Sequence, residues 1–97
     1  MAKGYWIGHV TITDPERYKD YLPKVSAHVA AFGGQYLVRG GAFDVPEGNT
    51  KDRHVVIEFK DFETAKAAYA DPGYAEAMAI RKSASTGDIM IIEGYDG

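Results

Sequence analysis

The tightest constraint in this chain is a punctuated helix. Asp14-Pro15-Glu16 supplies a capping carboxylate, a proline suited to the first helical position, and an acid at the positive end of the helix dipole. Gly33-Gly34 supplies a left-handed stop. Between them Tyr18, Leu22, Val25, Val29 and Phe32 recur at i, i+4, i+7, i+11 and i+14, one apolar stripe flanked by Tyr21 and His28. Pro23 removes a backbone bond inside this helix and predicts a kink between Lys19 and Pro23. A helix with one apolar face needs a second layer to bury it, and the segments on both sides read as strands.

Tyr5 to Ile12 is rich in aromatic and β-branched residues and has no helical period. Alternation puts Tyr5, Ile7, His9 and Thr11 on one face and Trp6, Gly8, Val10 and Ile12 on the other. Gly8 in mid-strand predicts a bulge or a close neighbour. After the helix, Gln35 to about Arg39 reads as a central strand. Gly40-Gly41 breaks it, Ala42 to Val45 reads as its continuation after a bulge, and residues 46–52 read as a polar loop. Arg53 to Phe59 is a third strand, with Val55, Ile57 and Phe59 on one face and His54, Val56 and Glu58 on the other. Asp61 caps a second helix through Tyr69, with Phe62, Ala65, Ala68 and Tyr69 inward. Asp71-Pro72 starts a further helical piece whose inward face carries Tyr74, Ala77, Met78 and, unusually, Arg81. Residues 83–87 read as a loop, Asp88 to Glu93 as a fourth strand and Gly94 to Gly97 as a tail.

The order βαββαβ predicts an α+β fold of the ferredoxin-like kind. It is a four-stranded antiparallel sheet with the helices on one face, formed as a single domain over residues 1–97. The strands are nevertheless apolar on both faces, as Ile7 and Val10, Val55 and Val56, and Ile91 and Ile92 show. An uncovered apolar sheet face is too large for a lone soluble protein. The expected partner is a second copy, sheet against sheet.

Composition removes several function classes. The net charge is −3 and no Lys/Arg cluster exists, so nucleic acid is not an expected partner. There are no cysteines, which excludes disulfides, thiolate catalysis and Cys-ligated metal sites and fits a cytoplasmic setting. No apolar run reaches signal or membrane-spanning length, so no membrane partner is expected. Gly33-Gly34 and Gly40-Gly41 form neither a dinucleotide fingerprint nor a P-loop, and there is no serine nucleophile elbow.

Four blocks carry a family resemblance. They are residues 4–16 from Gly4-Tyr5-Trp6-Ile7 to Asp14-Pro15-Glu16; residues 32–41, ending Leu37-Val38-Arg39-Gly40-Gly41; Val55 to Phe59 with Phe62 and Ala65; and Asp71-Pro72-Gly73-Tyr74 with Arg81 and Ile91 to Gly94. Together they resemble the domain of unknown function 1330 family, within the dimeric α/β-barrel (ferredoxin-like) superfamily. The resemblance implies a dimer with a barrel between two sheets and one small cleft per protomer. It implies no reaction, since relatives range from small monooxygenases and lactone isomerases to haem proteins and ligand sensors.

Arg39 is the leading site candidate, because a guanidinium cannot shed its proton and needs an anion when buried. Its partner is expected to be Glu58, Glu93 or a bound ligand. Arg81, on an apolar helical face, is the second anion anchor, and Tyr36 is expected to line the same cleft. His9 is the candidate general base, since imidazole titrates near neutral pH. His28 and His54 are weaker candidates, and the three histidines lack metal-ligand spacing. The expectation is a homodimer that binds a small anionic or carbonyl-bearing organic compound without a metal or other cofactor. As an enzyme it would perform proton transfer, isomerisation or oxygenation. The alternative is a non-catalytic ligand-sensing or stress-associated module.

Overall fold

The computed structural model describes residues 2–96; Met1 and Gly97, the ends of the N-terminal segment and of the tail, lie outside the described residues. Four strands, β1 (Gly4–Ile12), β2 (Gln35–Arg39), β3 (Arg53–Phe59) and β4 (Ser85–Glu93), form one antiparallel sheet in the order β2-β3-β1-β4. Three α-helices, α1 (Pro15–Ala31), α2 (Phe62–Ala70) and α3 (Ala75–Ala84), connect them, with a 3-10 turn at Pro72–Tyr74 ahead of α3. This is the expected α+β, ferredoxin-like connectivity.

Burial alternates strictly along β1. Trp6, Gly8 and Val10 are buried beneath the helices, and Tyr5, Ile7, His9 and Thr11 on the opposite face are half-buried. Trp6 centres the core, with ring centroids 5.3 Å from Phe59, 5.6 Å from Tyr69 and 5.3 Å from Tyr74. Its indole Nε1 donates to the Ala65 carbonyl at 2.7 Å, so the polar end of this buried ring is satisfied. Ala65 and Ala68 are fully buried, which lets α2 lie close on the strands.

The three aspartates before helices act as caps. Asp14 accepts from the Arg17 amide at 3.1 Å, Asp61 from the Thr64 amide at 2.7 Å and Asp71 from the Gly73 amide at 2.8 Å. α1 continues through Pro23, which is exposed, so the carbonyl deprived of a bond faces water.

Three expectations are corrected. β2 is an edge strand, not a central one, because the first crossover skips the position that β3 then fills. Residues 42–45 form no strand; chain pairing ends one residue past β2, where the Gly40 amide donates to the His54 carbonyl at 2.9 Å. No loop separates α3 from β4. The Ser85 hydroxyl donates to the Arg81 carbonyl at 2.7 Å, and the Thr13 and Asp14 amides donate to the Ala84 carbonyl at 2.8 and 3.0 Å. The final helical carbonyls are thus satisfied on the spot, and the strand starts at once.

Phe59 is 1% exposed against Trp6. Phe59→Ala is expected to cost about 3–5 kcal/mol. Replacing Tyr95, 97% exposed, with alanine is expected to cost under ~0.5 kcal/mol. Chemical denaturation of both variants checks this, and equal losses would show that the aromatic cluster is not the core.

Candidate functional site

Between the sheet and α1 the layers do not close completely. A cavity of about 40 Å3 remains, room for roughly three water molecules. Its floor is the helix-facing side of the sheet, including Trp6, Gly8, Val55 and Ile57; α1 contributes Tyr18, Tyr21, Leu22 and Val25, and Tyr74 and Arg81 complete the wall. Gly8 keeps the floor open, since a Cβ there would sit 2.9 Å from the Ile89 side chain. Three guanidinium groups reach the lining, those of Arg39, Arg53 and Arg81, but no carboxylate and no imidazole does.

A bulge in β2 aims two of these residues. Tyr36 pairs with Ile57, but Val38 pairs with Val56 and Arg39 with Val55, so Leu37 is the extra residue. Without it, Tyr36 and Arg39 would point to opposite faces of the strand. With it, both face the cavity. The Arg39 guanidinium lies 4.1 Å from the Tyr36 ring centroid and donates to the Ser26 hydroxyl on α1 at 2.6 Å. Arg39 is exposed, so it closes the mouth between β2 and α1 while remaining in contact with water.

Arg53 enters from β3 at 5.9 Å from the Tyr18 ring centroid. Gly40 makes this possible in two ways. Its φ of +67° suits glycine, and a Cβ there would collide with the Arg53 guanidinium. Arg81 enters from α3 and is 6% exposed. Its Nη2 donates to the Tyr69 hydroxyl at a long 3.4 Å. The Nε atoms of Arg53 and of Arg81 are both buried and have no hydrogen-bond partner. Ion pairs elsewhere join exposed surface residues, and none involves Arg39, Arg53 or Arg81 among the described residues.

The phenols around these cations stay neutral. Burial pushes the pKa of Tyr21 far above its ordinary 10.0, and the Tyr74 hydroxyl, 3.0 Å away, adds to the effect. Burial also raises Tyr18 and Tyr36, opposed in part by the charges of Arg53 and Arg39 respectively. Neutral phenols can donate hydrogen bonds, so the polar groups on the cavity wall are guanidinium N–H and phenol O–H groups.

Arg39, Arg81 and Tyr36 are therefore brought together, whereas His9, Glu58 and Glu93 are elsewhere. His9 lies on the opposite face of the sheet, its Nδ1 2.7 Å from Nδ1 of His54, its direct cross-strand partner. Glu58 is on that same face and accepts from the Tyr5 hydroxyl at 3.1 Å. Glu93 is exposed at the end of β4. Neither glutamate pairs with Arg39, whose partners are Ser26 and the Tyr36 ring. His28 donates from Nε2 to the Ala68 carbonyl at 2.8 Å and stacks on Tyr74, a structural placement. Arg53 is the cavity residue that sequence reasoning missed. Its signal was there: it shares the alternation of Val55, Ile57 and Phe59. Among the described residues, no group of three or more His, Asp or Glu side chains is placed to hold a metal ion. None of the helices there is long and apolar enough to cross a membrane.

Residues 3–95 match the family model described as domain of unknown function (DUF1330). No curated protein matches the chain. Among solved structures, a protein of unknown function from Rhodopseudomonas palustris is similar with a TM-score of 0.78 and 15% identity, over 99% of this chain and 85% of that one. SnoaB, a cofactor-independent oxygenase from Streptomyces nogalater, is similar with a TM-score of 0.64 and 16% identity, over 100% and 97%. A dimeric ferredoxin-like protein of unknown function from Thermobifida fusca has a TM-score of 0.62 and 18% identity, over 95% and 89%. Identities this low establish a shared fold alone.

The raised tyrosine pKa values fix the sign of an alkaline effect. A phenol whose pKa is higher folded than unfolded contributes stability that is complete below about pH 10 and is lost as pH rises above it. Stability is therefore expected to fall above about pH 10, and less steeply in Tyr21→Phe. Denaturation at pH 8 to 11 checks this; parallel curves for the two proteins would contradict it.

Proposed function

The chain belongs to the domain of unknown function 1330 family, a membership that names no reaction, and from that premise we propose that the cavity binds a small anionic organic compound. One observation carries this reading: two buried guanidinium Nε atoms, of Arg53 and Arg81, face a space with no carboxylate on its walls. A buried donor left without a partner costs about 1–3 kcal/mol. An oxyanion entering at Arg39 would relieve that cost. Its oxygens would accept from the guanidinium groups and the phenols, and its carbon skeleton would rest on the apolar floor.

The lining favours capture. It holds no group that titrates near neutral pH, and His9 is on the far side of the sheet. Catalysis would have to come from the cations themselves. Three guanidinium groups would stabilise an enolate or phenolate formed from the ligand, which is where cofactor-free isomerisation or oxygenation begins. The cofactor-independent chemistry named for SnoaB is compatible with that form.

The chain is further proposed to act as a homodimer through the outer face of the sheet. Val38, Met90 and Ile92 on that face are 42%, 47% and 42% exposed, and Ile7 and Val56 lie between them. That is an apolar surface of a kind a second copy would cover.

Arg81→Met tests the anion reading. The unliganded variant is expected to be within about 1 kcal/mol of wild type or more stable, because an unpaired buried charge is replaced by an apolar chain. Its thermal shift with small carboxylates is expected to disappear. A strongly destabilised variant that keeps the wild-type ligand shift would show Arg81 to be structural. For the dimer, sedimentation of the wild type at micromolar concentration is expected to give twice the chain mass, and Val56→Glu to give a folded monomer. A monomeric wild type would end the dimer proposal.

A further inference from the structure

The two orphaned guanidinium groups specify the charge of the ligand as well as its sign. We propose that the cavity takes a small organic dianion, a dicarboxylate, a conclusion that rests on the anion-binding reading and narrows it.

The argument is one of charge and position. The three cations are not equivalent. Arg39 is exposed, bonded to Ser26 and stacked on Tyr36, so water and its neighbours already accommodate it. Arg53 and Arg81 are different. Each has a buried Nε without a partner, and they come from separate elements, β3 and α3. The Arg53 guanidinium packs against Gly40, and the residue is half-buried on the cavity wall where Arg39 is exposed. A monoanion would pair with one of these two Nε donors and leave the other without a partner. Two negative groups match the two unpartnered donors, with the mouth cation left over to admit and retain the ligand.

Size and lining decide the kind of dianion. A volume of about 40 Å3 admits a molecule of roughly three waters' bulk, the scale of oxalate or malonate. A longer chain would have to extend past Arg39. Beside the tyrosines, the walls are Leu22, Val25, Val55 and Ile57, apolar side chains with which the oxygens of a sulfate or phosphate would make no bond. They suit the carbon link of a dicarboxylate. Guanidinium groups also match carboxylates in shape, through paired N–H donors in one plane.

The test compares acetate, malonate, sulfate and inorganic phosphate at pH 7.5 and matched ionic strength, by thermal shift and calorimetry on the full chain. Malonate is expected to bind at least roughly tenfold more tightly than any of the other three. Arg53→Met is expected to bring malonate down to the affinity of acetate. Arg53→Lys, which retains charge but lacks Nε, is expected to fall between, and circular dichroism establishes that both variants are folded. Acetate binding as tightly as malonate would overturn the dianion and leave the anion site standing. Sulfate or phosphate binding as tightly as malonate would overturn the dicarboxylate in favour of an inorganic oxyanion. Binding of none of the four would overturn the anion site and the dianion together.

Discussion

Arg81 is a cation where a cation is costly, and much of the helical layer is arranged around it. It sits on α3 about two turns beyond Tyr74, at 6% exposure, with the Tyr69 hydroxyl 3.4 Å from its Nη2. Tyr21 and Tyr74 join hydroxyls across α1 and the 3-10 turn and close the polar wall beside it. A leucine at this position would let the two layers pack shut. A guanidinium does not, because its N–H groups require an acceptor and the adjacent strands present apolar side chains, a tyrosine and further guanidinium groups but no carboxylate. The incompletely closed space between sheet and helices therefore follows from one residue type on one helical face. The tyrosines contribute in turn by staying neutral, so that they add donors without adding a counter-charge.

The second cation depends on backbone geometry. Arg39 reaches the cavity because Leu37 is bulged out of the β2 ladder, and Arg53 reaches it because Gly40 has neither a Cβ nor a negative φ. These two features lie three residues apart, at the end of β2. β2 is at the sheet edge, where a bulge disrupts only one ladder, with β3, and leaves the central β1–β3 and β1–β4 pairings in register. An edge position thus tolerates the irregularity that the site needs, and the central strands provide the rigid floor.

Much of the architecture was legible because it rests on local chemistry. Asp14, Asp61 and Asp71 mark helix starts through side-chain bonds made within three residues, and the stripe from Tyr18 to Val29 marks the buried face of α1. Strand alternation separated Trp6 from His9 correctly. Less legible was anything set by pairing between distant segments. The bulge at Leu37 leaves no mark on Gln35 to Arg39 that alternation can detect, since it exists only against β3. The junction at Ser85 depends on amides from Thr13 and Asp14, some seventy residues earlier. Arg81 could be placed from helical spacing alone; Arg53 could have been placed from strand spacing. Whether Glu58 met Arg39 was a question of which face each occupied, and the answer turned on that same bulge.

The two faces of the sheet divide the chemistry of the chain in a way that residue types alone misrepresent. Histidine is the side chain most readily assigned to catalysis, yet His9 and His54 hydrogen-bond each other on the outer face, with Phe43 against the His54 ring at 4.5 Å. Their neighbours along that face are Ile7, Val56 and Met90. The pairing joins the two Nδ1 atoms only: Nε2 of His54 is buried without a partner, and Asp88 on β4 stands directly across from His9. Around the cavity the inner face has no histidine and no acid, but concentrates permanent charge. The outer face, apolar and partly exposed, is the one proposed above to meet a second copy, and the inner face, with its unpartnered guanidinium Nε atoms, is the one proposed to meet a ligand.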